Sequence, residues 1–287
     1  MRPRREVPPL RASGAPVGTT GEAQIMLIDS HCHLDFPELA ADEAGVLARA
    51  RTAGVGGMLT IGTRLDQFER VRAIAERHAN VWCSVGVHPH EAKEEGQHAP
   101  DRLIEAAQHP KVVGIGETGL DFYYEHSPRN EQELSFRTHI AAARETGLPL
   151  IVHTRDADTE TGDVLEQEHA RGSFTGLLHC FSSGPEIARR ALDLGLYISI
   201  SGIVTFKAAE GLRAIVRDIP VDRLLVETDA PYLAPVPKRG KTNEPAFVAH
   251  TAARVAELKG LSMAELEAAT TDNFFRLFAK AERLKCA

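Results

Sequence analysis

A chain of 287 residues with 43% hydrophobic and 25% charged side chains can fill one large globular domain or two small ones. No stretch is apolar for long enough to span a bilayer, and a net charge of -7 excludes a protein that coats nucleic acid by bulk electrostatics. The four cysteines, Cys32, Cys83, Cys180 and Cys286, are scattered without a Cys-x-x-Cys, so neither a disulfide framework nor a thiolate zinc site is suggested, and a reduced, cytoplasmic setting fits.

Residues 1–25 carry four arginines and two acids among Pro, Gly, Ala and Thr, without apolar periodicity. They read as a disordered N-terminal extension, with a transit-like segment as the other reading and Met26 as an alternative start. Residues 26–287 read as a single domain in which a short β-rich run is followed, again and again, by an amphipathic stretch. The strand-like runs are 26–30, 57–61, 81–85, 112–116, 150–152, 176–178, 197–200 and 224–227. Helical patterns at 38–53, 65–78, 128–146 and 185–194 lie between them. Regular alternation over this length means parallel strands with crossover helices, and the expected fold class is α/β, a (β/α)8 TIM barrel. A doubly wound open sheet is the runner-up, but His-x-His stands after the first strand where a Gly-rich nucleotide loop would be.

Active sites of this barrel gather at the C-terminal ends of the strands. The first strand ends in His31 and His33, the fourth in Glu117, the fifth in His153, the sixth in His179 and the eighth in Asp229. Any one of these is ordinarily a cap or a satisfied polar residue. Together they place four imidazoles and two carboxylates on one rim, a donor set for two divalent cations with positions left open for substrate. Two such cations bring +4 against about -2 from Glu117 and Asp229, so the site favours an anionic ester. Donor softness suits zinc, manganese, iron or nickel better than magnesium.

Six motifs in fixed order carry a resemblance. They are Met26-Leu27-Ile28-Asp29-Ser30-His31-Cys32-His33, Gly86-Val87-His88-Pro89-His90, Gly116-Glu117-Thr118-Gly119-Leu120-Asp121, Val152-His153-Thr154-Arg155, His179-Cys180-Phe181 and Glu227-Thr228-Asp229-Ala230-Pro231-Tyr232-Leu233. In them the chain resembles the TatD-family metal-dependent deoxyribonucleases of the amidohydrolase-like superfamily. The resemblance implies a 3'-5' exodeoxyribonuclease with a binuclear site, active with Mg or Mn, while Zn or Ni also suit the donors. It implies that His31, His33, Glu117, His153, His179 and Asp229 are the metal ligands, with Glu117 between the ions and Asp229 orienting or deprotonating the attacking water.

His88 matches the family's substrate-facing histidine, whereas His90 reads equally well as a loop residue held by the Pro89 turn. Arg155, and Arg239 with Lys241 in the basic stretch after the eighth strand, are the candidate phosphate contacts. Trp82 lies in a strand and reads as core. Phe122, Tyr123 and Tyr124 either stack a terminal base or cover the barrel mouth. The expected partner is DNA, single-stranded or at its 3' ends, or RNA. No membrane and no obligatory protein partner are implied, and a monomer is expected. The alternative function is a metal-dependent ester or amide hydrolase, including deacylation of aminoacyl-tRNA. A binding protein without catalysis would be expected to have lost a ligand, and all six are present. After the eighth strand, 246–259 and a helix opened by a Ser262/Glu265 capping pattern read as packing on the barrel.

Overall fold

The computed structural model describes residues 26–95 and 100–283, so the N-terminal extension and Cys286 lie outside the described residues. In chain order the elements are β1 (Leu27–Cys32), α1 (Pro37–Ala40), α2 (Glu43–Thr52), β2 (Val55–Thr60), α3 (Phe68–Arg77), β3 (Val81–Val85), α4 (Ala92–Glu95) and α5 (Asp101–Ala107). They continue with β4 (Val112–Asp121), α6 (Arg129–Thr146), β5 (Leu150–Arg155), α7 (Asp158–Arg171), β6 (Gly176–Leu178), α8 (Pro185–Asp193), β7 (Tyr197–Ile200), α9 (Glu210–Asp218), β8 (Leu224–Val226), α10 (Val248–Lys259) and α11 (Met263–Leu277).

The eight strands lie side by side in the order of the sequence, and all seven ladders are parallel. A doubly wound sheet would reverse its order partway; this one closes on itself. The closing joint between β1 and the end of β8 is slight. It consists of the Cys32–Ala230 bridge, with His33 N–H donating to Ala230 O at 2.8 Å and Asp229 N–H to His31 O at 2.9 Å. Ser30 Oγ adds a bond to Val226 O at 3.0 Å, and Asp29 accepts from the Thr228 backbone N–H at 2.8 Å and hydroxyl at 2.6 Å.

Apolar side chains fill two spaces. The larger lies between the strands and the surrounding helices. The smaller is the barrel interior at the N-terminal ends of the strands, where Ile28, Leu59, Trp82, Val113, Ile151, Leu177, Tyr197 and Leu225 come one from each strand. Phe274, Leu277 and Phe278, at the end of α11, meet them there and seal that end of the barrel. The Ser262/Glu265 capping box starts α11, and Asn273 Nδ2 fastens it by donating to Val221 O and Leu224 O, both at 2.8 Å. Trp82 is core, as its place in a strand implied.

Two differences from the sequence reading bear on the site. The 38–53 pattern breaks into α1 and α2 because Asp42 caps a new helix, its carboxylate accepting from Gly45 N–H at 3.2 Å. β4 runs five residues past its expected end, paired with β5 as far as Asp121 and Arg155, so Glu117 sits inside a strand. Gly119 permits that pairing: with φ +140° and a notional Cβ only 2.0 Å from His153 O, no side chain fits there. No helix among the described residues is long and apolar enough to cross a membrane.

Candidate metal centre

Strict alternation would put Ile28 and His31 on opposite faces of β1, yet Ile28 packs in the barrel interior and His31 joins the residues at its mouth. The register irregularity between Asp29 and Cys32 reconciles them. It turns the ends of His31 and His33 toward the axis and leaves Cys32 packed outward in the core beneath the helices.

All six residues expected as ligands converge. His31 Nε2 lies 3.3 Å from Glu117 Oε2 and 3.7 Å from Asp229 Oδ1, and His33 Nε2 lies 3.5 Å from Asp229 Oδ1. Glu117 Oε1 is 2.7 Å from His179 Nε2 and 3.0 Å from His153 Nδ1, and those two nitrogens are 3.3 Å apart. The rings of His31 and His179 stack at 4.0 Å and 10°. These separations suit a shared cation: bonds of about 2.1 Å in a tetrahedron give edges of about 3.4 Å. Three clusters have donor atoms within 4.8 Å of one another: His31/Glu117/His179, His31/His33/Asp229 and His88/Glu117/His153. Glu117 belongs to two of them, as does His31.

Buried polar atoms without partners make the same point. His31 is fully buried, and neither of its ring nitrogens is hydrogen-bonded among the described residues; His33 Nδ1 is also unpartnered. Burial, then repulsion from His179, lowers the pKa of His31 and keeps it a neutral donor. Burial alone would raise Glu117, but His179 and His88 outweigh it and hold the carboxyl well below its ordinary value. Burial would lower His179, but the charge of Glu117 drives it well above its usual value. A buried carboxylate that draws positive charge into its neighbours is what a divalent cation satisfies. The donor set therefore fits metal.

Two carboxylates that the sequence reading left without a role stand behind the candidate ligands. Asp121 Oδ2 accepts from His153 Nε2 at 3.2 Å and from His90 Nε2 at 2.9 Å, which makes His153 Nδ1, 3.0 Å from Glu117 Oε1, the ring nitrogen that would meet a metal. Glu227 Oε1 lies 3.5 Å from His179 Nδ1 and accepts from Cys180 N–H at 2.6 Å. The signal for Asp121 was its even spacing from Glu117 along one strand face, visible only if β4 is allowed to continue.

The other expected residues divide. His88 lies with the ligands, its Nε2 3.4 Å from Glu117 Oε1, and it also lines the mouth; His90 is held by Asp121 rather than by the Pro89 turn alone. Arg155 lines a cavity of about 750 Å³ over the cluster. Arg239 and Lys241 do not line it: Arg239 lies 3.9 Å over the ring of Phe206, and Lys241 is exposed in a turn whose N–H donates to Lys238 O at 3.1 Å. Of the three aromatics after Glu117, Tyr124 lines the cavity, Tyr123 stands beside Arg155, and Phe122 packs against Arg129.

Comparison with known proteins places this arrangement. The family described as TatD related DNase matches residues 28–279. An uncharacterized metal-dependent hydrolase of Escherichia coli, YcfH, is 46% identical over 257 residues, covering 88% of this chain and 96% of its own. A protein of Enterobacter lignolyticus named 3'-5' ssDNA/RNA exonuclease TatD is 39% identical over 262 residues, 89% of this chain and all of its own. Among solved structures, the TatD homologue YjjV of Escherichia coli superposes with a TM-score of 0.80 at 30% identity, covering 88% of this chain and 98% of that one.

Proposed function

The chain belongs to the TatD family of metal-dependent hydrolases, and from that premise we propose that it removes nucleotides from the 3' end of single-stranded DNA or RNA with two divalent ions. The observation that carries the reading is the convergence of His31, His33, Glu117, His153, His179 and Asp229 at the floor of one cavity. Support for the polynucleotide comes from the relative named as an exonuclease and from Arg155 on the cavity wall.

Bound divalent ions, magnesium or manganese in the working enzyme with zinc or nickel also suited to the donors, supply Lewis acidity and make water acidic enough to attack at neutral pH. The protein's own groups do the rest. Glu117 presents its two oxygens to different histidines, so one carboxylate spans both halves of the site. Asp229 lines the cavity next to His33, where it orients or deprotonates the attacking water. His88 faces the substrate over Glu117. Arg155 meets the phosphate nearest the site, whereas Arg239 and Lys241, outside the cavity, meet a strand only beyond its first residues.

The test is a time course on a 5'-labelled single-stranded oligonucleotide with metal-stripped protein resupplied with magnesium, manganese or zinc, beside an Asp229→Asn control of unchanged circular dichroism. A ladder shortening one nucleotide at a time, dependent on metal and absent in the control, is expected. DNA and RNA left intact under every ion, with turnover of a carboxylic ester or an aminoacyl-tRNA, would transfer the assignment to ester hydrolysis.

A further inference from the structure

Among the described residues, five large apolar side chains are exposed, and three of them are tyrosines at or beside the mouth of the metal-site cavity: Tyr123 at 58%, Tyr124 at 49% and Tyr232 at 53%. Exposed aromatic surface gathered at a catalytic mouth needs an occupant. The tyrosines form two walls. On one, Tyr124 stacks on His126 at 5.5 Å and 5°, and the Arg155 guanidinium lies 4.7 Å over Tyr124 and 4.1 Å over Tyr123. On the other, Tyr232 stands edge-on to Phe36 at 6.2 Å, and Phe36 itself stacks on His33 at 4.6 Å. The first wall follows β4 and the second follows β8 and β1, so the strand order sets them on different sides of the metal-binding cluster.

Both walls are indexed to the cluster through backbone bonds. Tyr123 and Tyr124 N–H donate to Asp121 Oδ1 at 3.0 and 2.9 Å, and the other oxygen of Asp121 holds His153. Tyr232 N–H donates to the carbonyl of Asp229 at 2.9 Å, and Asn243 Nδ2 grips the Tyr232 carbonyl at 2.6 Å. The backbone that carries each ring is thus held at a fixed offset from the cluster, which a stacking platform requires.

We propose that the Tyr124/Arg155 wall and the Tyr232/Phe36 wall are two base-stacking subsites, holding the two nucleobases that flank the scissile phosphodiester. The proposal rests on the phosphodiesterase reading and names what that site grips besides phosphate. Stacking tolerates any base because every base has a π face, so the end of the strand is held without regard to sequence. At a paired end only the outermost base has a free face, so filling both subsites requires the end to fray first.

The experiment measures binding of the Asp229→Asn protein, with manganese present, to short single strands that carry a tetrahydrofuran abasic residue at the last position, at the one before it, or at neither. Each missing base is expected to weaken binding about tenfold. Tyr124→Leu should erase the penalty at one position and Tyr232→Leu at the other, while Tyr124→Phe and Tyr232→Phe keep both penalties. Leu134→Ala, on the exposed face of α6, serves as the control that shifts neither. Equal affinity for base-bearing and abasic strands, or penalties that survive both leucine variants, would overturn the subsites. Cleavage by the unaltered protein is read separately. Cleavage indifferent to the bases removes the subsites and spares the phosphodiesterase, whereas base-dependent binding without cleavage does the reverse.

Discussion

Asp121 is not among the expected ligands, yet one of its oxygens holds two imidazoles, that of the expected ligand His153 among them, and the other holds two backbone amides. If it fixes His153 with Nδ1 as donor, Asp121→Asn should lower metal affinity by about 10- to 100-fold, because an amide no longer accepts both ring N–H groups as a charge does. Titration calorimetry on stripped protein checks this, with unchanged circular dichroism showing that the fold survives. His139 offers a pH prediction away from the metal. It is buried, donates Nδ1–H to Ser135 O at 2.7 Å and accepts from Val87 N–H at 2.9 Å through Nε2, an arrangement open only to the neutral ring. Burial lowers its pKa from 6.5 to about 4. The unfolded chain therefore binds a proton between those values and the folded one does not, so stability is full above pH 6.5 and falls by about 3 kcal/mol as pH drops through about 4. Denaturant unfolding at pH 7 and pH 4.5 should show a slope that His139→Gln diminishes. The convergence of the six candidate ligands was legible because a strand end is a local property. The partners Asp121 and Glu227 were not, since their roles depend on which ring the neighbouring strand delivers.

At the scale of elements, the alternation of strand and helix was readable throughout, while the lengths were not. β4 outran its apolar run because β5 pairs with it up to the rim, a tertiary cause invisible to local composition. The last helix is the reverse case: its capping box and apolar stripe marked it as packed on the barrel, but not that it would seal the barrel's end. Phe274 is fully buried there, 5.5 Å from Trp82 and 4.8 Å from Phe278. Phe274→Ala should cost about 3–5 kcal/mol in denaturant unfolding, since the cluster it joins is anchored on all eight strands and cannot collapse into the gap. Metal affinity at the opposite end should change far less.

For the whole molecule, the barrel followed from the count and spacing of its strands, but the character of its closure did not. The first and last strands meet through an isolated bridge and a few bonds, among them contacts 199 residues apart in sequence. His31 and His33 stand on one lip of that seam and Asp229 on the other. A cation held across it binds the closed barrel alone, and its binding energy is added to folding. At about 100 times its dissociation constant an ion contributes about 2.7 kcal/mol, so chelation should lower Tm by about 5 °C or more, and restoring the metal should recover it. A differential scan with and without chelator reads this directly. A seam that parts first exposes two strand edges and the turns beside them to passing proteases. If the seam is where the barrel opens, metal-stripped protein is expected to be cut faster in limited proteolysis, and its lifetime to follow the supply of the ion.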